Sequence, residues 1–216
     1  MTPPRSGTTS TDERRARMVD RQLRRRGIED ERVLAAMAEV PRELFLPEEA
    51  RGRAYRDGAV AIGSGQTMSQ PWIVACMTAL LELSGDERVL EVGTGSGYGA
   101  AVLSRCCREV LTIERHEDLA DSARAALAET GCTNVEVRVG DGAEGAADRA
   151  PFGGISVTAT AEREPPPALL AQLAEGAALV CPVRRAGDEQ LMRYRDGGAE
   201  VVVPVRFVPL VTGEDG

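Results

Sequence analysis

A buried-strand pattern that passes straight into closely spaced glycines limits this chain more than any other feature. The segment VLEVGTGSGYG occupies residues 89–99, with glycines at 93, 95 and 97. Val89, Leu90 and Val92 read as a strand inside a sheet, and the glycines as the turn leading from it into a helix. Without side chains, Gly93, Gly95 and Gly97 let the backbone approach a ligand and leave N–H groups free at a helix N-terminus. Thr94, Ser96 and Tyr98 alternate with them on the same surface. The spacing is G-x-G-x-G with Glu91 ahead of it, not the G-x-G-x-x-G of dinucleotide-binding folds. A plain tight turn would also explain the segment taken alone, so the reading depends on its surroundings.

Those surroundings alternate between strand and helix. A helix is predicted from Pro71, carrying Trp72, Val74, Met77 and Leu81. After the glycine loop, strands are predicted at 109–113, 134–139, 155–159 and 177–183, with helices near 117–129 and 166–174. The implied fold class is α/β: a Rossmann-like, doubly wound, mostly parallel sheet with helices on both faces. Segments 191–194 and 201–208 flank the turn Asp196-Gly197-Gly198, which predicts an antiparallel C-terminal hairpin. Ahead of this core lies an N-terminal helical extension. Ser10-x-x-Glu13 is a capping box for a helix that Gly27 stops, and Asp30 caps a second helix that Pro41 ends. Residues 47–70 show little periodicity and read as an irregular surface segment of the kind that often carries function.

Two further positions fit a nucleoside ligand. Glu114 ends the next predicted strand in VLTIER, beside Arg115, where a carboxyl group can accept both hydroxyls of a ribose. Asp141, in Gly140-Asp141-Gly142, can accept from an adenine amino group or simply make an Asp-Gly turn.

Composition removes other chemistries. All 26 basic residues are arginine, which excludes Schiff-base catalysis and a Walker A lysine, and His116 is the sole histidine, which excludes a multi-histidine metal site. No metal is expected. Five cysteines without a C-x-x-C pair argue for reduced thiols, and a formal charge of −8 disfavours nucleic acid as a partner. No apolar run suits a membrane span and the N-terminus lacks a secretory h-region, so a cytoplasmic protein without a membrane partner is expected.

Longer blocks carry a family resemblance. MVDRQLRRRGIEDERVLAAMAEVPRELFLP at 18–47, AYRDGAVAIGSGQTMSQPWIVACMTALLEL at 54–83 and VRFVPLVTG at 205–213 resemble blocks of protein-L-isoaspartate O-methyltransferases. With VLEVGTGSGYGAAVLS, TIER, NVEVRVGDG and APF between them, the resemblance spans about residues 17–213. It implies that S-adenosylmethionine is the methyl donor and S-adenosylhomocysteine the product, and that isoaspartyl-containing proteins and peptides are the partners. It also implies that methylation starts repair through a succinimide.

By the same resemblance Ser69 of GQTMSQP is the catalytic position, with Gln66, Thr67 and Met68 lining the donor pocket. On pattern alone Ser69 would instead cap the helix at Pro71. The implied donor set is completed by Glu91, Gly93, Thr94, Gly95, Ser96, Gly97, Tyr98, Glu114, Arg115, Asp141 and Gly142. Ile62, Val205 and Val208 are the substrate-binding candidates. The implied organisation is a disordered tail at 1–10 and one methyltransferase domain at 11–216, with a helical and loop cap at 11–70 and a donor-binding core at 71–216. A monomer is expected.

The chain departs from the family pattern at three places. Val60-Ala61 replaces Pro-Leu, Gly99 stands where a larger polar residue is common, and Gly153-Gly154 follows APF where Asp is usual. Loss of that carboxylate near the donor edge would weaken donor binding. These departures leave a dedicated peptide-tailoring aspartyl methyltransferase as an alternative. A nicotinamide oxidoreductase and a non-catalytic adenosine-binding module are the rivals of other classes.

Overall fold

The computed structural model describes residues 10–185 and 187–213. The expected tail at 1–10 lies, apart from Ser10, outside the described residues. Helix α1 (Thr11–Met18) opens with the predicted capping box: Ser10 Oγ accepts from Glu13 N at 3.1 Å, and Glu13 returns the bond to Ser10 N. It runs through a π turn and a 3-10 turn and stops at Gly27, whose φ of 88° is a left-handed cap. Asp30 caps α2 (Glu31–Glu39) by accepting from Arg32 N and Val33 N.

The segment at 47–70 is more ordered than its composition suggests. It holds a 3-10 helix, Glu48–Arg53, and an antiparallel hairpin of β1 (Val60–Gly63) and β2 (Gln66–Met68). Single buried positions, Val60 and Met68, paired across the hairpin, hold it down. Such short pairs leave no periodicity to read. Helix α3 (Pro71–Leu80) follows, with Pro71 at its first turn.

The core alternates as expected: β3 (Arg88–Val92), α4 (Tyr98–Leu103), β4 (Glu109–Glu114), α5 (Glu117–Glu129), β5 (Val135–Val139) and β6 (Phe152–Val157). Then come β7 (Ala161–Glu162), α6 (Pro167–Ala171), β8 (Leu173–Arg185), β9 (Asp188–Arg195) and β10 (Gly198–Pro204). The sheet runs β10-β9-β8-β6-β3-β4-β5, with β7 beside β8. Strands β3 to β8 pair in parallel, and β8, β9 and β10 pair antiparallel.

Alternation along the strands divides the core. Val89 and Val110 face a cluster with α2, α3 and α4, while Leu90, Val92, Leu111 and Ile113 face a second cluster with Leu169 of α6. The first cluster also takes in Met18, Leu23, Val33 and Met37, so the N-terminal extension shares the core of the sheet.

The chain leaves β3 toward β4 and β5, then returns to the other side of β3 as β6. That reversal opens a crevice at the strands' C-terminal ends, where doubly wound sheets place ligands.

Several boundaries moved. β6 begins at Phe152 rather than 155 because Phe152 pairs with Leu173 of β8 and Gly154 pairs with both β3 and β8, the register shifting at Gly153, although glycines are poor strand formers. β8 begins at Leu173, which shortens the helix before it. The hairpin's last strand ends at Pro204, and residues 205–211 leave the sheet.

Candidate active site

A cavity of about 540 Å³ lies in that crevice. Its floor is the end of β3 and the loop after it (Glu91, Val92, Gly93, Thr94, Gly95, Ser96), with Glu114 from β4 and Thr158 and Ala159 after β6. Its cover comes from residues 66–70 and 204–211, and Tyr98 and Gly99 of α4 form a side.

The loop's glycines have separate tasks. Gly93 (φ 92°) donates to Ile113 O at 2.8 Å, and a Cβ there would overlap Thr158 Oγ1, which donates to Gly93 O at 2.7 Å. Gly95 (φ 53°) donates its N–H to Glu114 Oε2 at 2.7 Å. Gly97 does not line the cavity. Its φ of 86° makes the N-cap of α4, and a Cβ there would come 3.1 Å from Ala123 Cβ of α5.

Glu114 is buried. Its Oε1 accepts from Arg115 N at 3.0 Å and His116 N at 3.1 Å, so this one carboxyl group orders both the glycine loop and the turn after β4. Glu91 is buried more deeply, on the face covered by α4, in a polar row with Thr112 and Ser156 on the neighbouring strands. Thr112 Oγ1 donates to its Oε2 at 2.7 Å and stands 2.6 Å from Thr94 Oγ1. Burial, and secondarily the nearby Glu114, outweigh the Thr112 hydrogen bond and push the Glu91 carboxyl up to about 8.

Ser69 lines the cavity and does not cap α3. The helix N-cap is Gln70, which receives no side-chain capping bond, and Pro71 removes one of the N–H groups a cap would serve. Gln66, Thr67 and Met68 line the cavity with it.

The C-terminal candidates converge too. Val205 and Val208 line the cavity together with Phe207 and Leu210. Segment 205–210 is held by Val205 N to Glu189 O (2.9 Å), Phe207 N to Glu189 Oε2 (2.9 Å), Thr160 N to Val208 O (2.8 Å) and Leu210 N to Thr160 O (2.8 Å). Ile62 is not in the lining. It packs beneath the loop, with Cδ1 3.4 Å from where a Cβ on Gly95 would be.

Asp141 also stands outside the lining, although Gly142 is in it. Asp141 Oδ1 accepts from Ala143 N at 2.9 Å and Oδ2 from Gly213 N at 2.6 Å, which is the turn-forming reading with a tail contact added. Arg115 lines the cavity and donates to the carbonyls of Val211 and Gly213.

Two expectations about the departures are corrected. Gly153 is the second residue of β6, at the opposite end of the strand from Thr158 and the cavity, and a Cβ there would meet Glu87 Cγ at 2.7 Å. Its missing side chain therefore has no bearing on the donor edge. Gly99 does line the cavity, but a Cβ there would overlap Glu91 Oε1, so the glycine makes room for a buried carboxyl group. The sequence reading missed Thr158, Phe207 and Arg42. Thr158 comes just past β6, whereas the strand predicted at 155–159 runs through it. Arg42, wholly buried behind Ser69, carried no local signal except that a 3-10 turn puts it on the face of Phe45 three residues on.

A family model described as protein-L-isoaspartate(D-aspartate) O-methyltransferase matches residues 13–215. A protein-L-isoaspartate O-methyltransferase of Opitutus terrae is 51% identical over 200 residues, covering 90% of this chain and 85% of that one. Protein-L-isoaspartate O-methyltransferase 1 of an Anaeromyxobacter species is 52% identical, covering 92% and 96%. A solved protein-L-isoaspartate O-methyltransferase superposes with a TM-score of 0.80 at 27% identity, covering 94% of this chain and 67% of that one. A Plasmodium falciparum structure, described as a putative member in complex with S-adenosyl-L-homocysteine, shares the fold with a TM-score of 0.80 at 24% identity, covering 91% and 98%.

Proposed function

We infer the division of labour in this cavity from one premise: the chain belongs to the protein-L-isoaspartate(D-aspartate) O-methyltransferase family. It is an S-adenosylmethionine-dependent carboxyl O-methyltransferase that methylates the free carboxylate of isoaspartyl residues. The observation that carries the assignment of roles is the meeting, in one cavity, of the glycine loop, Glu114, Ser69 and segment 205–208.

The residues suit the donor. A sulfonium, an ammonium and a ribose diol ask for acidic groups and hydrogen-bond acceptors, and Glu91 and Glu114 are both buried in the wall. Glu114 takes the ribose hydroxyls on the lone pairs left by its three backbone partners, and Gly95 leaves its side of the cavity free of a side chain. Gln66, Thr67 and Met68 cover this end. The donor supplies an electrophilic methyl carbon on positively charged sulfur.

The acceptor needs no general base. A carboxylate with a pKa near ~4 is already ionised at neutral pH, which suits a cavity whose lining has one histidine and no lysine. Ser69 Oγ donates to the acceptor carboxylate and directs one oxygen toward the methyl carbon, while Phe207, Val208 and Met68 exclude water. Segment 205–208 lies against the acceptor backbone. The following backbone amide nitrogen then attacks the methyl ester, losing its proton and expelling methanol, and the succinimide forms without further help from the protein.

The same reading makes residues 11–216 one methyltransferase domain, supported by the core shared between cap and sheet. It makes the protein a cytoplasmic monomer, with five free, buried cysteines as support for a reducing compartment. No helix among the described residues is long and apolar enough to cross a membrane.

The test uses one short peptide synthesised with L-isoaspartyl and with L-aspartyl linkage, and labelled donor. Transfer to the isoaspartyl form alone is expected. Equal transfer to both, or transfer to the aspartyl form alone, would reject the assignment in favour of peptide tailoring.

A further inference from the structure

Among the described residues Arg42 is the largest fully buried side chain, and no acidic side chain pairs with it. Its Nε donates to Ala54 O at 2.8 Å and its Nη2 to Ser69 O at 2.6 Å. Its Nη1 is buried without any hydrogen-bond partner among the described residues. The neighbouring Glu43 forms no ion pair with it; its carboxyl group accepts from the Tyr55 hydroxyl. The guanidinium lies 4.6 Å from the centre of the Tyr98 ring, and that ring meets Phe45 edge-on at 5.7 Å.

A buried cation without a counter-charge is costly, and arginine does not relieve the cost by losing its proton even though burial lowers its pKa. Two carbonyl acceptors would be served as well by a neutral amide. The charge itself therefore calls for a reason, and its position offers one. Ser69, whose carbonyl accepts from it, and Tyr98, whose ring it faces, both line the cavity. Arg42 itself lies outside the lining; of the arginines within it, Arg206 is exposed, and Arg115 directly follows Glu114 and donates to the carbonyls of Val211 and Gly213.

We propose that Arg42 is a positioning residue for methyl transfer, fixing the Ser69 end of the cavity and making it electropositive so that an acceptor carboxylate settles there. The proposal rests on the function given above. It divides the cavity by charge: Glu114 at the strand ends for a cationic donor, and Arg42 behind Ser69 and Tyr98 for an anionic acceptor. Fields of fixed charges reach further in a dry, low-dielectric wall than in water.

A residue that only holds the fold would weaken donor and acceptor binding together when replaced. A source of positive potential affects them differently. In Arg42→Met, kcat/KM for an isoaspartyl peptide should fall roughly tenfold to hundredfold, mainly through KM, while S-adenosylhomocysteine affinity stays within about twofold. Arg42→Lys, which keeps the charge and loses the fork, should recover about tenfold of that loss. Parallel losses of peptide and S-adenosylhomocysteine affinity without rescue by lysine would overturn the proposal, as would an unchanged kcat/KM.

Should Arg42→Met fail to fold, the wild-type protein carries the test. With S-adenosylhomocysteine bound, it should hold the isoaspartyl peptide roughly tenfold more tightly than the peptide with the carboxylate converted to the amide. Equal affinities would overturn the proposal. A wild-type protein that methylates no isoaspartyl peptide would overturn the functional reading and this inference with it, whereas an active wild type with a fully active Arg42→Met overturns this inference alone.

Discussion

The two sides of the cavity are built by different means. One side is the ends of β3, β4 and β6, where the groups that matter sit at fixed positions on regular strands: Glu91, Glu114 and Thr158. The other is made of irregular segments, 66–70 and 204–211, held in place by side-chain and backbone contacts from far along the chain. Arg42 holds Ser69 from 27 residues away, and Glu189 holds Phe207 from 18. The strand side holds two buried carboxyl groups and the sheet's hydrogen bonding sets its geometry. The irregular side owes its geometry to a few long-range contacts, so damage to the two sides should look different.

The strand side should show the largest effect. Glu114→Ala takes the acceptor from three backbone N–H groups, those of Gly95, Arg115 and His116, and it does so inside the wall. Hydrogen bonds to a charged group are worth roughly 1.5–3 kcal/mol each, so about 5 kcal/mol of stability should go with more than a hundredfold of S-adenosylhomocysteine affinity. Calorimetry and urea unfolding on the same variant check this. Because Glu114 is buried in the wall, its loss reaches the fold as well as the ligand. A variant of unchanged stability with lost affinity would mean that the strand side is no more rigid than the other.

Glu91 sharpens the contrast through pH. Burial pushes its carboxyl up to about 8 in the folded protein, against roughly 4.3 for glutamate in an unfolded chain. The stability that this neutral acid contributes is fully present below about pH 4.3. As pH rises the unfolded chain gives up a proton that the folded protein keeps, so stability falls across the window from about 4.3 to 8. Glu91→Gln, permanently neutral, should escape that fall. Relative to wild type it should gain on the order of 3–5 kcal/mol between pH 5 and pH 8 in urea unfolding. A difference that stays constant with pH would mean that Glu91 is ionised in the fold, and the cavity wall more acidic than described.

The strand side was also the more legible. Val89, Leu90 and Val92 with the following glycines announce their own conformation, and Glu114 announces itself as the last residue of a strand, because local pattern and final position coincide there. Legibility failed where partners are distant. Nothing near Pro41 says that Arg42 will reach Ser69, and nothing near Pro204 says that the chain will leave the sheet to be caught by Glu189 and Thr160. Asp141 was read as either turn or ligand acceptor because its second partner, Gly213 N, lies 72 residues away.

The irregular side should lose function with little loss of stability. Ser69 makes no capping bond to α3, so Ser69→Ala leaves the helix as it is. Turnover on the isoaspartyl peptide should fall roughly tenfold to hundredfold with S-adenosylhomocysteine affinity unchanged, as for a donor used only in the transition state. The melting temperature should move by less than the several degrees that about 1 kcal/mol gives. A lowered melting temperature with normal turnover would return Ser69 to a structural role and leave the irregular side without a reacting group.

The smallest effect should come from Gly153, at the end of β6 far from both sides of the cavity. A Cβ there would stand 2.7 Å from Glu87 Cγ and 2.8 Å from Glu87 Cβ. Glu87 cannot swing away freely. Its carboxyl group accepts from Ser84 N, Ser84 Oγ and Gly85 N, and although burial works against its ionisation these bonds prevail and hold it at about 2. Gly153→Ala must therefore shift Glu87 or the strand, at about 1–2 kcal/mol of overpacking, offset in part by the backbone freedom that alanine removes from the unfolded chain. Donor affinity should not move, because the strand keeps its register with β3 through residues 154–157 and delivers Thr158 to the same place. The measurement is a pair of numbers on one variant: a melting temperature lowered by a few degrees, and a calorimetric affinity for S-adenosylhomocysteine equal to wild type. A change in affinity would show that the two ends of β6 are mechanically coupled, and that the strand side of the cavity is less independent of the rest of the sheet than its hydrogen bonding implies.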